Sequence, residues 1–422
     1  MKFSFEYILK TTRAAFRTPI RTVESVTLTG TEGLSIKLTT PNPSFPVRAL
    51  AAVPILPKHI WESVDPAKSG ELKATIGSGP YKLTEATPDT VYRMQANADY
   101  FLGAPPVTEL IWPVIKDQNT AFQALRTGEI HALVREVPPE QVSQFSAAPF
   151  KVAKGAGFAS TMLQFNDTRA PFDKKEVRMA IDLAIDKKKL VDTLLLGNAA
   201  VATPGFLHPS SPFHDASVVT RFDPTRAKQL LDQAGAVPGA DGIRVLGGKP
   251  MNVTLLSYSN NPIRLRAAEL ITGMLKDVGI GVTVRALDTN ALDALVWPEF
   301  DVAKGRDFDM SMWGWSAPVQ VDAARIAEMV HSDTRIGVSN IGGFKSAEAD
   351  SLGNQIAVTA DPDKRKALIQ QLEKLVAAEV PFSMLYFQDG IYAYRAETFD
   401  GWVFQKGLGI ITKLSFVPGF GR

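Results

Sequence analysis

Three features of the sequence predict an α/β fold divided into more than one lobe. Strand–helix–strand spacing occurs twice, at residues 109–134 and 251–287. Between them, GFASTMLQFNDTRAPFDKKEVRMAIDLAIDKKKLVDTLLLGN (157–198) reads as strand, turn and helix. The chain has 422 residues, and one hydrophobic core rarely grows past about 250–300 residues, so two or three lobes are expected.

Composition narrows the class. Hydrophobic residues make up 45% and charged residues 21%, the balance of a globular chain. No apolar run reaches the roughly 18–20 residues that span a bilayer. Forty-six Lys and Arg against 44 Asp and Glu leave a net charge of +2, too even to predict a nucleic-acid partner. The absence of cysteine excludes disulfides, thiol catalysis and thiolate metal sites. Six Trp, eight Tyr and 23 Phe are enough to line a sizeable pocket while still filling a core.

The elements follow in order. Phe3 to Phe16 is predicted helical. Ser25–Thr29 and Leu34–Thr39 alternate as strands around Gly30 and Gly33, a hairpin signal. Gly77-Ser78-Gly79-Pro80-Tyr81-Lys82-Leu83 is a tight turn entering a strand; it lacks the helix start that a phosphate-cradling loop needs. Glu109–Ile115 is a strand, Gln118–Thr127 a helix stopped by Gly128, and Ile130–Val134 a second strand, an order that predicts parallel pairing. His131, at the end of that unit, has no evident partner and reads as structural.

Residues 158–165 form the next strand and 166–172 a turn. Asp173 is placed to cap a helix, with Glu176 completing a capping-box-like start. Val177, Ala180, Ile181, Ala184 and Ile185 share one apolar face. Asp186 recaps the chain for a second short helix ended at Gly197. Residues 202–214 are a loop rich in Pro, Ser and His; His208 and His214 are separated by prolines and are not presented together by a helix, which argues against a metal site. Asp223-Pro224 and Asp361-Pro362 mark helix starts. Met251–Leu256, a helix from Pro262 to Gly279, and Gly281–Leu287 make the second strand–helix–strand unit, and Phe382–Gln388 is a late strand.

Several phrases carry a resemblance. They are FND..APFDKKEVRMAIDLAIDKKKLV..LLLGNA with ATPGFLHPSSPFH, the GSGPY turn, RTGEIH, DPTRAKQLLDQAG and NIGGF with its following Asp350. Together they resemble the family 5 extracellular solute-binding proteins, the receptors of dipeptide, oligopeptide and nickel importers of the ABC type. The resemblance implies a periplasmic-binding-protein-like α/β fold with two main lobes joined by a hinge and a small extra lobe. It implies domains at 1–70 (small lobe), 71–157 with 388–422 (lobe one, discontinuous) and 158–387 (large lobe). It places Gly77, Gly79 and Pro80 at the crossing between lobes. The first residues, Met1 to Tyr7, do not read as a signal peptide, because Glu6, Lys10 and Arg13 interrupt the apolar stretch. In the family such a segment lies well inside the chain, so the N-terminal part is expected to be incomplete and the full-length form periplasmic or at the cell surface.

Phe308-Asp309-Met310-Ser311-Met312-Trp313-Gly314-Trp315-Ser316 is the stretch with most to say about a ligand. It reads as a strand running into a turn at Pro318, and ligands of parallel α/β sheets lie at carboxyl ends of strands. Trp313 and Trp315 alternate, so one is expected to face the ligand and the other to pack in the core. In peptide-binding relatives an Asp-rich turn follows, whose first Asp pairs with the ligand's amine. Here Ser316-Ala317-Pro318-Val319-Gln320-Val321 precedes the next acid, Asp322, and a neutral Ser cannot balance a buried ammonium. The expected large-lobe contacts are therefore Trp313 or Trp315 with hydrogen bonds from Asn166, Tyr258 and Ser316. The expected partners are a peptide or other small solute and ABC permease subunits, with no nucleic acid, no cofactor, no metal and a monomeric state. No nucleophile elbow, zinc-protease helix, Walker loop or dinucleotide fingerprint is present. The alternatives are a hydrolase with a dispersed site and a sensory or scaffolding relative.

Overall fold

The computed structural model of the protein describes residues 1–11, 14–69 and 76–419. The expected boundary at 70/71 lies outside the described residues. The chain forms two compact units, Met1–Gly155 with Gly390–Arg422, and Ala156–Asp389.

The first unit begins with α1 (Lys2–Ile8) and α2 (Ala14–Ile20). The single helix expected over Phe3–Phe16 is thus broken. Lys10 and Thr11 donate their amides to the carbonyls of Tyr7 and Ile8, and the Thr11 hydroxyl also bonds Ile8 O at 3.0 Å, a local alternative to the next helical turn. Residues 12 and 13 of that expected helix lie outside the described residues. β1 (Val23–Thr29) and β2 (Gly33–Leu38) form the antiparallel hairpin, and α3 spans Lys58–Trp61. Phe5, Ile8, Ile20, Val23, Val26 and Phe45 make a core for this part. β3 (Tyr81–Thr87), β4 (Val91–Ala96) and β5 (Glu109–Pro113) then form an antiparallel sheet.

α4 (Gln118–Thr127) starts where Asp117 Oδ1 accepts from Thr120 N at 2.8 Å and ends at Gly128, whose φ of 83° suits a residue without Cβ. The parallel strand expected at Ile130–Val134 does not form. β5 pairs only with β4 among the described residues, and Ala132 makes an isolated antiparallel bridge to Tyr394. Leu133 and Val137 donate to the carbonyls of Ala393 and Ile391, so this segment lies along another strand of the same unit and leaves β5 unaccompanied. Phe122, Leu125, Leu133, Val137, Phe145 and Ile391 fill the space between.

The second unit is an α/β/α sandwich. Its mixed sheet has the order β11-β10-β12-β6-β13-β7. β6 covers Phe150–Phe165, β7 Ala199–Val201, β10 Asn252–Tyr258, β11 Gly281–Leu287, β12 Met310–Trp313 and β13 Phe382–Arg395; β8 (Val245–Leu246) and β9 (Lys249–Pro250) form a small separate ladder. β6 and β13 both run past the limits expected for them, at 158 and 388, and each carries the chain across a unit boundary. β10 pairs in parallel with β11 and β12, as the strand–helix–strand spacing predicts, whereas β12 pairs antiparallel with β6.

Alternation along the strands builds two cores. Leu163, Phe165, Leu255, Met310 and Met312 point to the face covered by α5 (Lys175–Ala184), α6 (Lys187–Leu195), α7 (Pro224–Gln233) and α8 (Pro262–Lys276). Met162, Leu256, Trp313, Phe382 and Met384 point to the opposite face, covered by α9 (Thr289–Val296), α10 (Pro318–Val321), α11 (Ile326–Val330), α12 (Ala347–Val358) and α13 (Pro362–Glu379). Most of these helices start on an Asp, Asn or Ser acceptor: Asp186, Asp223, Asn261, Asp288, Ser346 and Asp361 each accept from a backbone amide of the first turn. Asp173 is the exception to the sequence reading. α5 begins two residues later, after Lys174, with no side-chain cap. Asp173 N–H bonds Arg169 O instead, and the preceding carbonyl of Phe172 is held at 2.8 Å by Arg178 Nη1.

Arg178 also donates to the carbonyls of Val380 and Glu379, pinning α5 to the end of α13. Lys187 is fully buried and donates to Asp182 Oδ1 at 2.7 Å, which also accepts from the Ser383 hydroxyl. Removing one member of such a pair leaves an uncompensated charge in the core. Lys187→Met is expected to lower unfolding free energy by about 3–5 kcal/mol, and adding Asp182→Leu to recover part of the loss. Urea denaturation of the two variants checks this; an unchanged midpoint for the single variant contradicts it.

Candidate functional site

The carboxyl ends of the parallel strands β10 and β12 carry Tyr258 and Trp313 as their last residues. Around them the chain gathers an aromatic cluster. The ring centroids of Trp313 and Trp315 are 6.2 Å apart, those of Trp297 and Trp315 5.5 Å, those of Trp297 and Trp313 6.3 Å, and those of Tyr258 and Trp313 5.9 Å. The indoles meet at 69–74°, the edge-to-face arrangement favoured by the ring quadrupoles.

Trp313 is buried in the core and Trp315 is partly exposed, but the two rings lie together and not on opposite faces. Residues two apart point to the same side of an extended chain. β12 ends at Trp313, and the extension beyond it is held by Ser160, whose N–H donates to Trp315 O at 2.9 Å and whose Oγ accepts from Trp315 N at 3.0 Å. Both rings consequently enter one cluster, with Trp313 buried and Trp315 partly exposed.

Gly314 makes this turn possible. A Cβ there would overlap Ser160 O and Arg264 Nη2. Arg264, in the first turn of α8, lies against this backbone, and its guanidinium carbon is 5.8 Å from the Tyr258 ring centroid. Burial pulls the Arg264 guanidinium below its ordinary value, opposed by the phenols of Tyr386 and Tyr258. The Tyr258 hydroxyl donates to Asp293 Oδ1 at 2.7 Å; burial, then Asp293, pushes its pKa up.

The remaining sequence-predicted residues fall elsewhere. Asn166 is buried at the opposite end of β12, where Nδ2 donates to Phe308 O at 2.9 Å and Oδ1 accepts from the Thr168 hydroxyl at 2.7 Å. Both ends of its amide are thereby committed to the turn. Ser316 is exposed and follows Trp315 directly. Gly77, Gly79 and Pro80 lie inside the first unit at the entry to β3, whereas the chain passes between units at Gly155/Ala156 and Asp389/Gly390. His214 Nδ1 lies 2.7 Å from Glu373 Oε1, and no group of three or more metal-ligating side chains occurs among the described residues. A cavity of about 490 Å³ lies within the first unit, walled by Leu110, Trp112, Phe122, Leu133 and Trp402; none of the sequence-predicted site residues lines it.

Trp297, Asp293 and Arg264 escaped the sequence reading. Their signals were present but local: Arg264 sits three residues after the Asn261 cap that follows β10, and Trp297-Pro298 closes α9.

A sequence profile described as "Bacterial extracellular solute-binding proteins, family 5 Middle" matches residues 1–335. The oligopeptide-binding protein AppA of Bacillus subtilis is 28% identical over 392 residues, covering 90% of this chain and 69% of that protein. Its structure in complex with a nonapeptide has a TM-score of 0.70 at 26% identity, over 93% of this chain and 78% of that one. The substrate-binding protein CtaP of Listeria monocytogenes reaches a TM-score of 0.82 at 22% identity, over 97% and 81% of the two chains, a likeness of fold.

Gly314→Ala is expected to cost about 1–3 kcal/mol, because backbone oxygen at Ser160 cannot yield to the added methyl. Chemical denaturation followed by tryptophan emission checks this; a variant as stable as the parent contradicts it.

Proposed function

Because the chain belongs to the bacterial extracellular solute-binding proteins of family 5, the solute-binding receptors of ABC importers, we propose that it holds a peptide or other small solute at the aromatic end of its second unit. The observation that carries this reading is the convergence of Trp297, Trp313, Trp315 and Tyr258 where two parallel strands end. Flat apolar rings with fixed orientation bind a guest at little entropic cost.

In this reading the solute is bound without being transformed and is handed to the permease subunits of a membrane importer, from the periplasm or the cell surface. The protein works as a monomer. Capture follows from population shift: the solute stabilises whichever arrangement of the protein offers it most contacts. The two passages of the chain between units, at Gly155/Ala156 and Asp389/Gly390, are the proposed pivots. Gly77, Gly79 and Pro80 keep a proposed supporting role in the turn before β3.

Trp315→Ala tests the reading. The indole is partly exposed and its backbone is fixed by Ser160, so truncation is expected to leave the melting temperature nearly unchanged. Solute affinity should fall about tenfold or more, the loss typical of an aromatic anchor. Isothermal titration with a solute recovered from the purified protein by native mass spectrometry measures it. Unchanged affinity in a folded variant contradicts the placement of the site, and turnover of the solute contradicts the receptor reading.

A further inference from the structure

We propose that the first unit has an open strand position between β5 and residues 131–134, and that it receives an extended, uncharged, apolar segment of a separate polypeptide.

Main chain defines both edges of this position. At the two ends of β5, Val114 N donates to Thr90 O and Thr108 O accepts from Ala96 N. Both bonds run toward β4, and in an antiparallel pair the direction alternates from residue to residue. The main-chain groups of Glu109 and Ile111 therefore point away from β4, and β5 has no second partner strand among the described residues. Across the gap, Leu133 N donates to Ala393 O and His131 O accepts from Arg395 N. Those bonds run toward β13, so the main-chain groups of Ala132 and Val134 point the other way. Among the described residues, none of these four outward positions has a main-chain hydrogen bond.

The cavity of about 490 Å³ lies between the two edges, lined by β5 and by residues 130–135. It closes at one end, where Arg135 Nη1 donates to Lys116 O and Gln118 Nε2 to Glu136 O, both at 3.3 Å. Two rows of unpaired amides and carbonyls on either side of one cavity describe a missing strand, because a strand offers donors and acceptors along both of its sides. A compact small molecule would fill the volume and leave the rows unpaired. The described strands of this chain are already paired in its own sheets. A second copy would have to give one up, so the occupant is a segment of a different polypeptide.

The walls set the side chains of that segment. Leu133 packs with Phe122 of α4 on one face, and Ala132 packs with Trp402 on the other. Phe122 and Trp402 both line the cavity. A strand entering here is covered on both faces, and such strands are continuous apolar runs. The indole N–H groups of Trp112 and Trp402 are buried without acceptors, and an incoming main chain brings carbonyls. The charges at the margin are engaged: Glu109 lies 3.6 Å from Arg93, and Arg135 is bonded to Lys116 O. β5 has 5 residues, which sets the length of the segment it can pair.

The test uses the whole protein and defined probes. These are capped peptides with a run of valine and isoleucine between terminal lysines, the same peptides N-methylated at alternate amides, and the apolar dye anilinonaphthalene sulfonate. Amide hydrogen exchange is read residue by residue. The apolar peptides are expected to slow exchange at Ile111, Ala132 and Val134 by about tenfold or more, while Val114 and Leu133, already bonded, change little. The N-methylated peptides keep the apolar surface and lose donors, and should bind about tenfold more weakly. Ile111→Pro removes an outward donor that β4 does not use, and should weaken peptide binding by a similar factor. The comparison of peptides is made on the parent protein, so it stands even if this variant misfolds. Equal binding of both peptide sets, or dye binding that peptides do not displace, overturns the strand assignment. Slow exchange at these amides in the protein alone, with a dimeric mass in sedimentation, gives the position to a second copy and overturns the separate polypeptide. Failure of every peptide to bind overturns the proposal outright.

Discussion

The antiparallel register of β12 on β6 is the constraint on which the candidate site depends. It sets Trp313 opposite Met162 and Met312 opposite Leu163. Because side chains alternate, that register sends Met310 and Met312 into one core and Trp313 into the other. A slip of one residue would turn the indole toward α5–α8 and the methionines toward α9–α13. Ser160 extends the pairing past the end of the strand through its two hydrogen bonds to Trp315. The position of the second indole is thus fixed by main chain.

What is built on that register combines two opposed tendencies. Edge-to-face rings pack well and favour a closed apolar cluster. Three indole N–H groups and a guanidinium favour contact with acceptors, and among the described residues these donors have none. A stable core would pair or remove such donors. Their retention at the ends of parallel strands is the observation on which the proposed solute site rests. In the same unit Arg178 is engaged by three backbone carbonyls and Lys187 by Asp182.

Much of the fold was legible because helix starts are written locally. Asp223-Pro224 and Asp361-Pro362 each place an acceptor and a proline where the first turn needs them, and both helices begin there. The parallel pair β10 and β11 was legible from spacing and the length of α8. The same logic failed at 130–134, where strand partners are chosen by long-range packing: Leu133 and Val137 found Ala393 and Ile391 more than 250 residues on. Asp173 failed because the turn before α5 is held by Arg178, a side chain five residues later. The site was half legible. Trp313, Trp315 and Tyr258 meet, but Asn166 is tied to the far end of β12, and Arg264 and Trp297 come from helices whose sequence gives no sign of convergence.

The most direct test of the account is fluorine NMR of protein labelled with 5-fluorotryptophan, assigned by single Trp→Phe variants. The sequence holds six tryptophans, of which Trp61, Trp112 and Trp402 lie in the first unit and Trp297, Trp313 and Trp315 in the second. On addition of bound solute to the emptied protein, the account predicts that the resonances of Trp313 and Trp315 shift or broaden most. Movement confined to Trp112 and Trp402, with Trp297, Trp313 and Trp315 unmoved, would contradict it.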